Sequence, residues 1–491
     1  METAAAPGHP AGVDAQAGGF DNRRKAAILA TCCFSVLITN IDSTIAYLAV
    51  PAIRTDLNAT AAQVQWVMAI YALGVASLYL VGGAAGDRFG RRRVLQTGMT
   101  IFMLGSLLCS LAPTIDILIA ARLVQAVGAS MMNSVALAII SQVFVAPAER
   151  ARAIGIWGAV FGGALALGPV VGGVLIDLFG WRSVFWINLP ICAVAIAACA
   201  VLVPESKSST VRSLDPIGQL LAAGSVIGLV YVLIESPGRG WTHPLVVTIA
   251  AASALAFMGL LRYESRHTDP FIDLRFFRSI PFSAATATAL SVFMVWGAFM
   301  FVMPIYLQGW RGYPAVHAGL LLLPVGAAVL VFSPLSGRLV GRFGGRPSLL
   351  VSGLMITVMS LMLAFVTPTT PVWILTVIFA AFGITFGMIT VPVNVAAVSG
   401  MPQERAGAAA GVANTSKTVG SSLGIALSGV LAIGALSPPA GEFTAAARPL
   451  WLLTLALGLA IAALGLISTS ARAKRSAERL APLIASSPTG Q

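Results

Sequence analysis

Long runs of uncharged, apolar residues divide the chain into about fourteen segments, and this feature constrains the fold more than any other. Each run has about 20 residues, the length that a helix needs to cross a hydrocarbon core of roughly 30 Å. A β-barrel would need strands of about 10 residues that alternate polar and apolar side chains. Only 10% of the residues are charged, against about 25% in a soluble domain. The pattern therefore predicts an all-α integral membrane protein.

The positions of the spans are predicted from the apolar runs alone. They are 27–49, 63–86, 94–112, 115–144, 153–176, 184–203, 217–235, 244–261, 282–307, 317–337, 348–366, 371–396, 407–434 and 450–470. Lys and Arg collect on the cytoplasmic side of membrane proteins. With a cytoplasmic N-terminus, most of the 30 basic residues fall in the tails and in the alternate loops on that side. We therefore expect a multi-pass protein of the cell (inner) membrane, in contact with lipid, with both termini in the cytoplasm.

Charge placement and motifs argue against several other functions. The net charge is +12, but the basic residues form short clusters between spans, so no nucleic-acid partner is expected. The sequence has no Gly-x-x-x-x-Gly-Lys loop to hold ATP. Gly420-Ser-Ser422-Leu-Gly424 lies inside an apolar run, without the strand and the later His that a nucleophilic serine needs. No enzyme activity, metal or cofactor is expected, and a channel is disfavoured because no ring of like charges is visible.

Two turns between spans share glycine and basic residues at matched spacing. The first is Gly83-Ala-Ala-Gly-Asp87-Arg88-Phe-Gly90-Arg91-Arg92, and the second, 254 residues later, is Gly337-Arg-Leu-Val-Gly341-Arg342-Phe-Gly344-Gly-Arg346. If the turns are equivalent, span 2 corresponds to span 10 and the helices divide as 6 + 2 + 6. The predicted domains are a disordered cytoplasmic tail (1–26), an N-terminal six-helix bundle (27–203), two inserted helices (204–281), a C-terminal six-helix bundle (282–470) and a cytoplasmic tail (471–491).

Further motifs lie in and beside spans 1, 4, 5 and 6. They are Asp42-Ser-Thr44-Ile-Ala-Tyr47-Leu-Ala49-Val-Pro51, Leu118-x-x-x-Arg122-x-x-Gln125-Ala126-x-Gly128, Gly168-Pro169-x-x-Gly172-Gly173, and Trp181-Arg182 through Asn188-x-Pro190. Together with the first turn, they resemble the major facilitator superfamily, specifically its 14-span drug:proton antiporters. Two positions depart from that pattern, Tyr47 in place of asparagine and Ala126 in place of glycine. The resemblance implies a fourteen-helix major facilitator fold and export of small amphipathic compounds, driven by the proton gradient.

The same resemblance implies roles for two groups of residues. One group forms a conformational latch between cytoplasmic helix ends in the outward-facing state: Gly83, Asp87, Arg88, Gly90, Arg91 and Arg92. The other forms the antiporter motif that controls leak and the direction of exchange: Gly168, Pro169, Gly172 and Gly173. The simpler alternatives are charges that only set topology and a proline kink that only serves helix packing.

Asp42 is the only acidic residue placed deep inside a predicted span, and Arg122 lies at a similar depth in span 4. An ionisable group in a membrane is costly, so it should face the bundle interior and is a functional candidate. A nearby arginine favours a charged carboxylate, whereas desolvation favours a neutral one. We therefore expect Asp42 to couple transport to protons with Arg122 as its partner. The alternative is a static ion pair that fixes helix packing.

Other polar residues inside the spans are candidates for the substrate cavity. They are Ser35, Thr39, Gln125, Asn133, Asn414, Lys417 and Ser421. Because Lys417 makes the cavity less acidic, we expect a neutral, zwitterionic or monocationic lipophilic substrate; the alternative is a snorkelling or structural lysine. The expected substrates are drugs, antibiotics or secondary metabolites, and the protein is expected to be a monomer. A proton-coupled nutrient, metabolite or siderophore carrier of the same fold is the alternative function.

Overall fold

The computed structural model describes residues 21–207, 215–267, 273–399, 401, 403–436, 442–470, 472–473 and 475–479. Throughout these ranges the regular elements are helices. Most of both predicted tails, 1–26 and 471–491, lies outside the described residues. The all-α prediction is therefore confirmed for the part of the chain that can be described.

Fourteen long helical segments follow one another along the chain. They are α1 (Asn22–Asp56), α2 (Ala61–Phe89), α3 (Arg91–Leu111), α4 (Ile115–Val143), α5 (Pro147–Phe179), α6 (Ser183–Leu202), α7 (Pro216–Arg239), α8 (Pro244–Glu264), α9 (Ile280–Trp310), α10 (Ala315–Phe343), α11 (Arg346–Leu363), α12 (Val372–Val398), α13 (Gln403–Leu431) and α14 (Phe443–Ser468). Among the described residues, thirteen are long and apolar enough to cross a membrane. The exception is α13, which is 29 residues long but carries Asn414, Ser416 and Lys417 in its middle.

Some helix ends differ from the predicted span ends because prolines lie inside helices. Span 1 was predicted to end at 49, but α1 continues through Pro51 to Asp56. A proline removes one helical hydrogen bond and favours a kink, yet Val50 and Ile53 on either side of it are buried. Packing therefore holds the helix together beyond the proline.

The helices before and after the α7–α8 pair contact one another in matching ways. In the first group α1 packs on α5, α2 on α4, and α3 on both α4 and α6. In the second group α9 packs on α13, α10 on α12, and α11 on both α12 and α14. Helix α7 packs on α8 and also reaches α2 and α13, whereas α8 is mostly exposed. We call α1–α6 the N-half and α9–α14 the C-half.

The two halves meet through α2 against α13 and through α5 against α10. Glycines allow the second contact: a Cβ atom on Gly326 would lie 2.1 Å from the Cα atom of Ala166, and one on Gly319 would lie 2.1 Å from the carbonyl oxygen of Pro169. Small residues permit such close backbone approach in membrane helices. The α5–α10 contact is therefore close enough to be sensitive to any added side chain.

The contact between α5 and α10 does not continue along the whole length of these helices. Toward their other ends, a Cβ atom on Gly162 would lie 3.3 Å from Leu330, whereas one on Gly155 or on Gly337 would meet no atom within 4 Å. We call the end of the bundle that carries Asp56, where α1 ends, the Asp56 end. The opposite end carries Gly90, where α2 ends, and is called the Gly90 end. The halves contact each other at the Asp56 end and separate between α5 and α10 toward the Gly90 end.

In both repeated turns, a glycine with positive φ directly follows the helix. Gly90 follows α2 with φ of 108° and Gly344 follows α10 with φ of 75°. The N–H of Gly90 donates to Gly86 and that of Gly344 donates to Val340, so each caps its helix four residues back. A positive φ favours glycine, which explains why both turns keep glycine at this position.

Candidate functional site

Helices α1 and α4 bring Asp42 and Arg122 into direct contact inside the N-half. Nη1 of Arg122 donates to Oδ2 of Asp42 at 2.7 Å, and both side chains are fully buried. Burying two charges is costly unless they pair and find further hydrogen bonds. The surroundings of this pair therefore determine whether it can be held in a membrane protein.

Neutral polar side chains complete the hydrogen bonding of Asp42. Its Oδ1 accepts from Nε2 of Gln125 at 3.0 Å and from Nδ2 of Asn188 at 2.8 Å. Gln125 also donates to Oγ of Ser106 at 2.7 Å. We call these five residues, from α1, α3, α4 and α6, the Asp42 cluster. Gln125 was predicted to line the cavity, but it is completely buried in this cluster.

Arg122 is held by an aromatic ring as well as by the carboxylate. Its guanidinium carbon lies 4.2 Å from the ring centroid of Tyr71, and a cation over an aromatic face is stabilised when both are desolvated. Its Nε donates to the carbonyl of Val67 at 3.4 Å. The remaining nitrogen, Nη2, is buried without a hydrogen-bond partner among the described residues. Arg122 therefore has one nitrogen, with two N–H groups, available for a new partner if the cluster rearranges.

The glycines of the predicted antiporter motif lie between the Asp42 cluster and the C-half. A Cβ atom on Gly168 would lie 2.1 Å from Oγ1 of Thr44, and one on Gly172 would lie 2.7 Å from Ile45. Both contacts are on α1, two and three residues after Asp42. On another face, a Cβ on Gly173 would lie 2.5 Å from the Cα atom of Val316 on α10. Helix α5 thus touches both the segment that carries Asp42 and the opposite half.

At the Asp56 end, polar groups join the two halves. Asp177 of α5 accepts from the backbone N–H groups of Ala315 and Val316 on α10, at 3.0 and 2.8 Å. Gln65 of α2 donates to the carbonyl of Ile425 at 2.6 Å, and Gln308 of α9 donates to that of Leu48 at 2.9 Å. These hydrogen bonds are made only while the halves stay together at this end.

Replacing Asp177 tests the contribution of its contacts. We expect Asp177→Ala to shift the protein about fivefold toward opening at the Asp56 end, because a carboxylate at a helix N-terminus contributes about 1 kcal/mol. Spin labels at Leu178→Cys and Leu320→Cys, both exposed positions, should report a larger population of long distances. Asp116→Ala at the start of α4 is the matched control. An unchanged distance distribution in Asp177→Ala would contradict this role.

The predicted latch residues form their contacts in the turn between α2 and α3 and with residues next to that turn. Asp87 pairs with Arg91 at 2.9 Å, and Arg91 also donates to Gln142 at 3.0 Å. Glu205, which sequence reasoning did not single out, accepts from the N–H of Arg92 at 3.1 Å and would contact a Cβ on Gly90. Gly83 and Arg88 lie on α2 beside them, half-buried and exposed respectively.

The predicted cavity residues fall into separate places. Ser35 and Thr39 are buried inside the N-half, where Thr39 donates to Asn133 at 3.2 Å. In the C-half, Nζ of Lys417 donates to Asn414 at 3.0 Å and to Asn394 at 2.8 Å. Ser421 lies one turn further along α13 and is buried. The structure therefore groups Lys417 with Asn414 but separates both from Ser35 and Thr39.

Sequence reasoning missed Ser106, Asn188, Asn394 and Glu205 as members of these groups. Of these four residues, only Asn188 lies in a sequence motif that resembles the family pattern, the motif beside span 6. The other three are polar residues without a distinguishing pattern in the sequence. Their partners lie on other helices, so only the fold identifies them.

Membrane-length helices in two matching groups, with a buried ion pair beside their junction, are the architecture of a secondary transporter. The sequence pattern of the Major Facilitator Superfamily matches residues 32–425, and the chain belongs to this superfamily. It is 35% identical over 408 residues to the multidrug resistance protein Stp of Mycobacterium tuberculosis (strain CDC 1551 / Oshkosh), covering 83% of this chain and 76% of that protein. The superfamily predicted from the motifs is thus confirmed.

Another relative and a solved structure agree with this assignment. The chain is 34% identical over 426 residues to the tetracenomycin C resistance and export protein of Streptomyces glaucescens, covering 86% of this chain and 78% of that protein. The fold is similar to that of the xylose transporter XylE from E. coli in its inward open conformation, with a TM-score of 0.60 and 14% identity. That match covers 89% of this chain and 95% of the other, and it shows the fold alone.

Proposed function

We propose that this protein is a proton-driven antiporter that exports small amphipathic compounds, such as drugs, antibiotics or secondary metabolites, by alternating access. The observation that carries the proposal is the buried Asp42–Arg122 pair, joined through α5 to the contact between the halves. The relatives named for multidrug resistance and for tetracenomycin C export support the direction of transport. The proton gradient supplies the energy, and no cofactor takes part.

The proposed architecture is a monomer of fourteen transmembrane helices, arranged 6 + 2 + 6 in the cell (inner) membrane. Matching contacts in the N-half and C-half support the repeat. In this arrangement α13 also crosses the membrane and completes the count of fourteen, and its polar residues face the bundle interior because lipid contact would be costly. Basic residues at the Gly90 end support a cytoplasmic location of that end and of both termini.

With this orientation, the separation of α5 from α10 toward the Gly90 end makes the described arrangement inward-facing. Asp87 then pairs inside its own turn with Arg91. When α5 and α10 close at the cytoplasmic side, the turn that carries Asp87, Arg88 and Gly90 meets the C-half and forms the latch. The resemblance to drug:proton antiporters supports this role for the turn.

Proton binding at Asp42 changes the balance of charges in the N-half. A neutral Asp42 would leave Arg122 buried without its counter-ion, and breaking such a pair costs about 3–5 kcal/mol. Arg122 then shifts toward a new acceptor, using the nitrogen that lacks a partner. Because Gly168 and Gly172 pack beside Asp42 and Gly173 packs on α10, a shift of α1 is passed to the junction of the halves. Proton and substrate thereby favour different conformations of one transporter.

Growth of a drug-sensitive bacterial strain that expresses the protein tests the proposed function. A panel of antibiotics and dyes should include compounds whose minimum inhibitory concentration rises on expression. A protonophore at a sub-inhibitory dose should abolish their export, measured directly as loss of accumulated compound from loaded cells. Export that persists after the proton gradient collapses would contradict proton coupling, and uptake of the compounds would contradict the direction.

A further inference from the structure

Lys417 is a cation inside the C-half whose described partners are neutral. Its Nζ donates to Oδ1 of Asn394 and of Asn414 at 2.8 and 3.0 Å, and no carboxylate of the described residues forms an ion pair with it. A lysine ammonium has three donors, so one is left after these two hydrogen bonds. Lys417 is half-buried and Asn394 is exposed, so the rest of the described chain does not enclose the cluster.

Three carboxylates that lie in or at the ends of the spans are engaged elsewhere. Asp42 pairs with Arg122 and has 1% of its surface exposed. Glu235 accepts from Trp66 and Arg239 at the Asp56 end, and Asp177 accepts from the start of α10. Lys417 is therefore a positive charge that the described part of the polar interior does not neutralise.

An aromatic surface lies on the helices that carry and flank this cluster. Trp296 of α9 stacks on Phe382 of α12 at 5.4 Å and contacts Phe386 edge-on at 4.6 Å. Phe293 contacts Phe386 at 5.6 Å, and Phe293 and Trp296 are half-buried rather than sealed in the core. Phe386 precedes Asn394 by eight residues on α12, a rise of about 12 Å.

Helix packing sets the distance along the helices between the aromatic surface and the Lys417 cluster. Gly297, next to Trp296, packs on the backbone of Ser421, and Ser421 is one turn from Lys417 on α13. A molecule with an apolar ring system at the aromatic surface would thus present a polar group one to two turns nearer the Gly90 end, at the level of Lys417.

We propose that Lys417, Asn394 and Asn414 form an anion-binding subsite that takes the acidic group of an aromatic substrate, such as a carboxylate, sulfonate or enolate. The ring body of that substrate contacts the half-buried Phe293 and Trp296, which the buried Phe386 supports from behind. The proposal rests on the function proposed above and narrows its substrate class. It extends the sequence-based expectation of neutral, zwitterionic or monocationic substrates to compounds that carry a negative charge.

Two naphthalene probes with the same ring system test the subsite. 8-Anilino-1-naphthalenesulfonate is anionic, and N-phenyl-1-naphthylamine has the same rings without the sulfonate. Binding is measured by equilibrium dialysis against the full chain in lipid nanodiscs, with empty nanodiscs subtracted. In Lys417→Gln the sulfonate probe should bind at least about tenfold more weakly, the contribution of one hydrogen bond to a charged group, and Lys417→Arg should restore binding. The neutral probe should bind all three proteins equally.

Arg338→Gln is the matched control, because it removes one positive charge from an exposed position of the C-half. It should leave the binding of both probes unchanged. Equal loss of both probes in Lys417→Gln, no loss of the sulfonate probe, or no binding of that probe to the wild type would each overturn the subsite. A loss that Arg338→Gln reproduces would overturn it as well.

Transport in proteoliposomes separates the subsite from the proposed function. With an imposed pH gradient, the wild type should move the sulfonate probe, and Lys417→Gln should move it more slowly while moving the neutral probe normally. Transport of both probes at the same rate by both proteins would overturn the subsite and leave proton-driven export intact. The predicted binding contrast without any transport, of the probes or of the compound panel, would support the subsite and contradict export.

Discussion

Asp42→Asn is expected to abolish proton-driven export while the protein still folds and binds its substrate. Asparagine keeps the shape of the side chain and an acceptor oxygen for the Asp42 cluster, but it cannot carry the charge that pairs with Arg122. Coupling free energies of 1–3 kcal/mol correspond to a stimulation of about 5- to 150-fold by the driving ligand. That stimulation by a pH gradient should disappear, measured as compound export from loaded cells or as exchange in proteoliposomes.

Asp56→Asn provides a matched control on the same helix. Asp56 also pairs with an arginine, Arg182, at 2.7 Å, the same distance as Asp42 to Arg122. The Asp56 side chain is 48% exposed, and exposed ion pairs contribute at most about 1 kcal/mol. Asp56→Asn should therefore keep export driven by the pH gradient. Coupled export by a folded Asp42→Asn protein would show that the buried pair only fixes helix packing.

Gly173→Leu is expected to stop transport by preventing closure at the Asp56 end. Its first added atom would already lie 2.5 Å from the Cα atom of Val316 and 2.6 Å from the carbonyl oxygen of Ala315. Overpacking costs about 1–3 kcal/mol even in cores that relax, and backbone atoms at a helix junction relax less than side chains. A cost in the lower part of that range corresponds to about a tenfold change in equilibrium. The substitution should therefore lower the inward-facing population at least about tenfold.

Distances between spin labels at Leu178→Cys and Leu320→Cys report the same closure. They should lengthen in Gly173→Leu, and export should fall to the level of cells without the protein. Gly224→Leu is the matched control, since a Cβ at the exposed Gly224 on α7, outside the two halves, meets no atom within 4 Å. Normal transport by a well-expressed Gly173→Leu protein would show that the close α5–α10 contact is not part of the cycle.

Much of the fold follows from the sequence because lipid imposes a strict length and polarity on each span. Thirteen helices met that rule, and the matched turns at Gly90 and Gly344 indicated the internal repeat. Helix α13 departs from the rule because Asn414 and Lys417 interrupt it. A polar helix inside a bundle is shielded from lipid by the neighbouring helices. The hydropathy of the helix's own sequence cannot reveal that shielding.

The candidate site was only partly predictable for a related reason. Asp42 and Arg122 stand out because charges inside spans are rare, and their similar depth indicated that they could meet. Ser106 and Asn188 are neutral, and such residues are common in membrane helices, where they serve packing as often as function. Their contacts depend on α3 and α6 lying beside α1 and α4. Likewise, the role of Gly173 depends on Val316, far away in the sequence.

Proton movement during substrate exchange tests proton-driven antiport through Asp42 most directly. Proteoliposomes that contain the purified protein and a pH-sensitive dye are mixed with a compound that the protein exports, without any imposed gradient. Addition of the compound to the wild type should move protons in the direction opposite to the compound, whereas Asp42→Asn should move none and Asp56→Asn should behave as the wild type. Compound transport by the wild type without a pH change, or an equal pH change with Asp42→Asn, would contradict coupling through Asp42.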